Sequence, residues 1–126
     1  MGRVEPRPVV PADRATGAGR RTLESMDLNT LQDEADALVR QFSEGYWPPL
    51  ANLARLTEEV GELARAVNQA HGPKRLKADE VRAEVSLEMG DVLFSLAVLA
   101  NQSGICLGDA AALALDKYRR RDLGRD

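Results

Sequence analysis

The sequence predicts an all-α protein, a bundle of four helices of which two are long. Apolar residues recur every three or four positions along most of the chain, and no segment shows the alternation typical of a strand. Aromatic residues make up only 4% of the 126 residues, whereas Leu and Ala are abundant, which favours helices over a sheet. This length suits one domain with a single core.

The chain divides into an N-terminal extension and a helical body. Residues 1–25 combine Pro, Gly and Arg without apolar periodicity, so we expect them to be disordered; a basic arm that touches a partner is the alternative. Residues 26–126 form the predicted domain, and Met26 is an alternative start of the protein.

Four helices are predicted within this body. The first begins near Asp27 or Asn29, either of which can cap a helix, includes Phe42 in its apolar pattern and is stopped by Gly45. The others are predicted at about residues 50–70, 79–102 and 107–121. Asp79 is the expected cap of the third helix, whereas Cys106 stands at the start of the fourth, where it should cap poorly.

Composition excludes several classes of protein. The net charge of −3 argues against general binding of nucleic-acid polymers. Cys106 is the only cysteine, so no internal disulfide can form. No apolar run approaches the roughly 18 residues that span a membrane, and no secretory signal is recognisable at the N-terminus. We therefore expect a soluble cytoplasmic protein.

Two matching acidic phrases lie on the two long helices. Residues 59–62 read Glu-Val-Gly-Glu, preceded by Glu58, and residues 88–91 read Glu-Met-Gly-Asp. Positions three apart share one face of a helix, so antiparallel helices would direct both pairs of carboxylates into one space. Oxygen ligands alone favour a hard divalent cation, Mg²⁺ or Mn²⁺. The single histidine, His71, is expected in a surface loop, which argues against zinc and di-iron sites.

A solvated acidic face is the alternative explanation of these carboxylates. On the second helix, Arg55 and the three glutamates fall within an arc of about 100°, roughly opposite the apolar residues. The third helix favours the cation, because residues 92–100 contain only Ser95 as a polar residue and a carboxylate beside so apolar a segment needs compensation. Gly61 and Gly90 either permit close helix approach beside the site or are merely tolerated.

The acidic pattern resembles that of the MazG-like nucleotide pyrophosphohydrolases, the all-α NTP pyrophosphatase group. The resemblance covers residues 28–122 and is carried by Glu58-Glu59-x-x-Glu62, Glu88-x-x-Asp91 and the stretches 45–68, 88–101 and 117–122. It implies a MazG fold completed by oligomerisation, as a homodimer or homotetramer. It also implies Mg²⁺-dependent hydrolysis of a nucleoside triphosphate between the α and β phosphates, which yields a monophosphate and pyrophosphate.

The resemblance further implies roles for individual residues. Mg²⁺ would be held by four carboxylates: Glu59, Glu62, Glu88 and Asp91. Glu58 would orient or deprotonate the attacking water. By this resemblance the phosphates would meet Lys117 and Arg121, and the base or sugar would meet Asn101. From the residues themselves, Arg55 is a further phosphate candidate, and Trp47 is a candidate for stacking on the base, with plain packing as the alternative. Lys74 and Lys77 are weaker phosphate candidates in the loop between the long helices. A non-enzymatic oligomerisation or regulatory module with a solvated acidic face is the competing function.

Overall fold

The computed structural model of the chain describes residues 23–71 and 78–124. They form four helices: α1 (Leu28–Gln41), α2 (Pro49–Ala70), α3 (Ala78–Ser103) and α4 (Leu107–Leu123). No strand occurs in these two ranges, so the predicted all-α, four-helix architecture is confirmed. The predicted disorder of the N-terminal extension falls, apart from residues 23–25, outside the described residues. The same is true of Lys74 and Lys77. None of the four helices has both the length and the apolar character that crossing a membrane requires.

The helix ends agree only in part with the sequence. Asp27 caps α1, because its Oδ1 accepts a hydrogen bond from the Thr30 amide at 2.7 Å, and Cys106 makes no side-chain capping bond on α4. The predicted end of α1 was wrong, since the helix stops at Gln41 and Phe42 is already extended. Gly45 instead forms the following turn with a φ of 60°. The prediction for Asp79 was also wrong, because α3 begins one residue earlier and places it inside the first turn.

The core lies where α3 crosses α1. α3 packs against α2 along its length and against α1 near its C-terminal half, while α4 packs against α1. Small residues form the buried centre, and larger side chains only partly cover it. The buried members are Ala35, Val39, Ala97 and Val98, and the half-buried ones are Leu31, Tyr46, Phe94 and Leu107. A single chain therefore buries little of its large apolar surface.

The packing of α2 reverses one expectation from the sequence. Between Asn52 and Ala66 its buried and half-buried positions recur every three or four residues and so form one side, towards α3: Asn52, Leu56, Glu59, Leu63 and Ala66. The apolar residues Leu53, Val60 and Val67 are instead 46%, 48% and 38% exposed. The interpretation of the whole acidic face as solvated is therefore wrong for Glu59, because that face borders α3 and the apolar stripe does not.

The explanation of Gly61 and Gly90 by close helix approach is also wrong for a single chain. A β-carbon added at either position would meet no heavy atom within 4 Å. Both glycines lie next to exposed apolar residues, Val60 and Met89. The surface beside them is open within one chain.

A charged hydrogen-bond network secures the connection between α1 and α2. The Tyr46 hydroxyl donates to Asp36 Oδ1 at 2.6 Å, and Arg40 Nε donates to the other oxygen at 2.9 Å. These bonds, that of Tyr46 first, hold the pKa of Asp36 below its ordinary value of 3.8. Burial, followed by the bond to Asp36, raises the pKa of Tyr46, so its hydroxyl remains a donor at neutral pH.

We expect Tyr46→Phe to lower the stability of the protein in a pH-dependent way. Because the folded-state pKa of Asp36 is lowered, its contribution is complete above about pH 4 and is lost as the pH falls through the lowered pKa. Urea unfolding should show a penalty for the variant near neutral pH that shrinks below about pH 3. Tyr118→Phe, at an exposed position, is the matched control. A penalty that stays constant down to about pH 2 would contradict the proposed coupling.

Candidate active site

Three of the four predicted metal ligands meet between α2 and α3. One carboxylate oxygen each from Glu59, Glu88 and Asp91 lies within 4.8 Å of the other two, and all three side chains are half-buried. Glu59 reaches this point because it lies on the side of α2 that faces α3. Glu88 and Asp91, three residues apart, lie on one side of α3. We call these three residues the carboxylate cluster.

The two remaining acids lie at its edge. Glu62 is exposed, and its Oε2 lies 3.6 Å from Nη1 of Arg65. It is nevertheless near enough to raise the pKa of Glu88. Glu58 is exposed on the same helix. The structure therefore brings three predicted ligands together, leaves Glu62 within electrostatic reach, and places Glu58 on the solvent side.

The electrostatics of the carboxylate cluster are unfavourable without a cation. The pKa of Glu88 is raised, first by burial and then by repulsion from four neighbouring carboxylates: Asp91, Glu62, Glu59 and Glu84. A cation held by these oxygens would relieve that repulsion. An all-oxygen donor set fits a hard divalent ion such as Mg²⁺ or Mn²⁺. The residues present thus suit the metal that the sequence predicted.

A cavity of about 210 Å³ lies among α1, the connection after it, α2 and α3, and its lining includes no member of the carboxylate cluster. Arg55 and Ser95 line it, and each is four residues from a cluster member, Glu59 and Asp91 respectively. Four helical residues span about 6 Å, so the cavity begins roughly one turn from the carboxylates. Its other walls come from α1, the α1–α2 connection, α2 and α3: Val39, Phe42, Ser43, Glu44, Gly45, Tyr46, Trp47, Asn52, Phe94 and Val98.

Trp47 lines this cavity and is held by several contacts. Its backbone carbonyl accepts hydrogen bonds from the side-chain amides of Asn52, at 3.2 Å, and Gln102. Its indole N–H donates to Glu44 at 3.1 Å. The guanidinium carbon of Arg55 lies 5.4 Å from the ring centroid, within the range of a cation–π contact. Trp47 as a whole is still 39% exposed, which leaves part of it open to a ligand.

Asn101 lies where α3 meets α1, and its amide is engaged within the protein. It donates to the Gln32 carbonyl at 2.9 Å and to the Tyr46 hydroxyl at 3.4 Å, and it accepts from Gln32 Nε2 at 3.0 Å. In the free protein it joins two helices beside the cavity.

The predicted phosphate ligands on α4 lie apart from the carboxylate cluster. Lys117 and Arg121 are exposed and approach the Tyr118 ring, with distances to its centroid of 4.7 and 5.0 Å. Arg121 also pairs with Asp122. α4 packs against α1, and within residues 23–71 and 78–124 no ion pair links either cation to the cluster. One chain therefore does not join them to the acids.

Sequence reasoning missed Asn52 and underused Ser95. Both are buried polar side chains in the cavity wall, 6% and 4% exposed. A signal for Asn52 existed in its spacing, because it precedes Glu59 by seven residues and so shares its side of α2. The sequence distinguished Ser95 only as the one polar residue in the apolar segment 92–100.

Known proteins resemble the chain in sequence and in structure. The family model of the MazG nucleotide pyrophosphohydrolase domain matches residues 48–124. The uncharacterized protein YpjD of Bacillus subtilis (strain 168) is 47% identical over 98 residues, which are 78% of this chain and 88% of YpjD. YvdC from the same organism, also uncharacterized, is 33% identical over 99 residues, or 70% of this chain and 92% of YvdC.

Two crystal structures share the fold. A Bacillus-conserved MazG protein, a nucleotide pyrophosphohydrolase, is 41% identical with a TM-score of 0.65, and the match covers 82% of this chain and 100% of that one. The YpjD structure is 45% identical, also with a TM-score of 0.65, over 76% of this chain and 98% of YpjD. The protein is thus a hydrolase of pyrophosphate bonds, and it belongs to the MazG nucleotide pyrophosphohydrolase family.

Proposed function

We propose that this protein hydrolyses nucleoside triphosphates, NTP or dNTP, between the α and β phosphates in a Mg²⁺-dependent reaction in the cytoplasm. The products are a nucleoside monophosphate and pyrophosphate. The observation that carries the proposal is the carboxylate cluster, in which three oxygens from two helices lie within 4.8 Å of one another beside a cavity.

The position of each acidic residue determines the role that we propose for it. Glu59, Glu88 and Asp91, with Glu62 at the edge, would hold Mg²⁺, for which Mn²⁺ can substitute. The bound ion supplies charge neutralisation at the phosphate oxygens. Glu58, exposed on the solvent side of α2, orients the attacking water and accepts its proton. Positioning and charge stabilisation are the main demands of phosphoryl transfer, and this arrangement meets both.

The cavity receives the nucleoside end of the substrate. Trp47 offers a partly exposed ring on which the base can stack, and Asn101 lies beside the cavity for contact with base or sugar. The guanidinium carbon of Arg55 lies 5.4 Å from the centroid of the Trp47 ring, and Arg55 precedes Glu59 by about one helical turn, where it can meet a phosphate. Lys117 and Arg121 can join the same phosphates only if a second copy brings its α4 to this site, since α4 packs against α1 within one chain.

Self-association would complete the fold and the site. Apolar residues of α2 and α3 are exposed in one chain, including Leu53, Val60 and Leu93. A homodimer or homotetramer would bury them and bring a second set of cationic side chains near the phosphates. We therefore propose a homo-oligomer as the active form.

Product analysis tests the reaction. A panel of nucleotides with Mg²⁺ should release pyrophosphate and monophosphate from at least one triphosphate. Glu58→Gln should slow this turnover by about 10²- to 10⁴-fold, the usual contribution of a general base, and should leave the folded structure intact because Glu58 is exposed. Glu34→Gln, at an exposed position on α1, is the matched control. Release of orthophosphate alone would overturn the assignment of the α–β bond.

A further inference from the structure

The hydroxyl of Ser95 is the one buried side-chain polar group in the described ranges that lacks a hydrogen-bond partner. Ser95 is only 4% exposed and lies on α3, two turns after Glu88 and four residues beyond Asp91. Buried hydroxyls are nearly always paired, because an unpaired one loses its bonds to water without replacement. The unpaired Ser95 hydroxyl lies in the wall of a cavity, which indicates that its hydrogen-bond partner is a ligand.

Other hydroxyls on α2 and α3 make a hydrogen bond that Ser95 does not make. Thr57 donates to the carbonyl of Leu53 at 3.1 Å, and Ser103 donates to that of Leu99 at 2.8 Å. Both bonds run to the residue four positions earlier, the usual partner of a helical hydroxyl. The corresponding acceptor for Ser95 is the carbonyl of Asp91, and this bond is not made. The hydroxyl thus remains available to a ligand.

The walls around Ser95 restrict what that ligand can be. The lining includes the apolar residues Phe94, Val98, Phe42 and Val39, and Trp47 contributes an aromatic residue. At about 210 Å³ the cavity is smaller than the roughly 300 Å³ at which pockets for drug-sized ligands begin. A single flat ring system with a polar edge fits these walls. The buried polar side chains of the wall are Asn52, whose amide N–H groups donate to Trp47 and Gln102, and Ser95, whose unpaired hydroxyl can donate to, or accept from, that edge.

We propose that Ser95 is a specificity-determining residue that binds the polar edge of the nucleobase. This rests on the proposed function, which places the phosphates at the carboxylate cluster about one helical turn away. In the free protein the oxygen is closed off from solvent, and rotation about χ1 presents it to a ring that enters over Trp47. Discrimination between bases arises because a base whose edge cannot pair with the hydroxyl leaves it unsatisfied.

The single tryptophan of the chain makes base binding measurable without turnover. Trp47 lines the cavity, so its fluorescence reports entry of a ring, and calorimetry checks the same titration. Titrations use triphosphates of the four common bases, with inorganic tripolyphosphate as a probe that has no base. Ser95→Ala should weaken the best-bound nucleotide about tenfold and narrow the differences among the four. It should leave the affinity for tripolyphosphate, which has no base, within about twofold.

Two further variants separate this role from a structural one. Ser95→Thr keeps the hydroxyl and should recover most of the affinity. Ser103→Ala removes a hydroxyl whose bond runs within the helix, so it should not change the preference among bases. Without ligand, Ser95→Ala should be at least as stable as the natural protein, since it removes an unpaired buried group.

The outcomes distinguish this inference from the proposed function. Equal nucleotide affinities in Ser95→Ala and the natural protein, or an equal loss for tripolyphosphate, would overturn the role of Ser95 even if pyrophosphate is released. A base-dependent loss in a protein that releases no pyrophosphate would support Ser95 and overturn the proposed reaction. If none of the four triphosphates binds, both are wrong.

Discussion

Addition of Mg²⁺ is expected to raise the melting temperature of this protein, and the Glu59→Gln variant is expected to lose that response. Glu59 supplies the only oxygen of the carboxylate cluster that comes from α2. In the variant a neutral amide replaces this carboxylate, so the cluster keeps only its two acids on α3. At about ten times its dissociation constant, a bound ion stabilises the fold by about 1.4 kcal/mol. For a domain of this size that corresponds to a Tm increase of about 5 to 10 °C.

The same variant should be inactive for a reason other than unfolding. Removal of a proposed direct ligand should lower kcat/KM by at least about 100-fold, since even groups behind metal ligands contribute 10- to 100-fold. Without metal, Glu59→Gln should be as stable as the natural protein or more so, because one repulsive charge near Glu88 is gone. Steady-state kinetics measures the loss of kcat/KM, and differential scanning calorimetry at constant ionic strength measures the stability without metal.

Glu34→Gln is the charge-matched control, because it removes an exposed acid of α1 and should keep the full response to Mg²⁺. Melting temperatures that do not change in millimolar Mg²⁺ or Mn²⁺ would contradict the metal site. So would a response of equal size in Glu59→Gln.

Replacement of Val60 by Glu is expected to break the protein into single chains. Leu53, Val60 and Val67 are spaced seven residues apart and form an exposed apolar stripe along α2, with Val60 at its centre. The open space beside Gly61 gives a second helix room to approach. A charge buried in such an interface costs several kcal/mol, so the dissociation constant should rise by at least about 100-fold.

Sedimentation or light scattering at micromolar concentration tests this expectation. The natural protein should sediment as a dimer or tetramer, and Val60→Glu should sediment at the mass of one chain. Ala37→Glu introduces the same charge on α1, on the side away from Ala35 and Val39, and should leave the assembly unchanged. A natural protein that is monomeric at high concentration would refute the predicted oligomer.

The sequence predicted the helices well because local periodicity and capping determine them. Asp27 could be identified from its residue type and its position before an apolar repeat. The end of α1 could not, because Phe42 continues the apolar pattern and only the packed structure shows that it leaves the helix. Periodicity also could not tell which side of α2 faces α3, since both the acidic side and the apolar stripe are regular.

The site was predictable to the extent that its members share a helix. Residues 88–91 and 59–62 each carry their ligands at fixed spacing, so the approach of Glu59 to Glu88 needed only an antiparallel pair. The cavity needed more, since it joins α1, the connection after it, α2 and α3. Asn52 and Gln102 form a hydrogen bond although 50 residues separate them in the sequence. A contact between residues so far apart leaves no local sequence pattern from which it could be predicted.

The side-chain amides of Asn52 and Gln102, which donate to the Trp47 carbonyl, affect how the cavity binds a ligand. Asn52 Nδ2 also donates to Gln102 Oε1 at 2.8 Å, so the three groups brace one another across two helices and the connection. The wall that meets the ring is therefore ordered before any ligand arrives. Binding then loses little conformational entropy compared with binding that must order a loose loop. More of the contact energy therefore contributes to affinity.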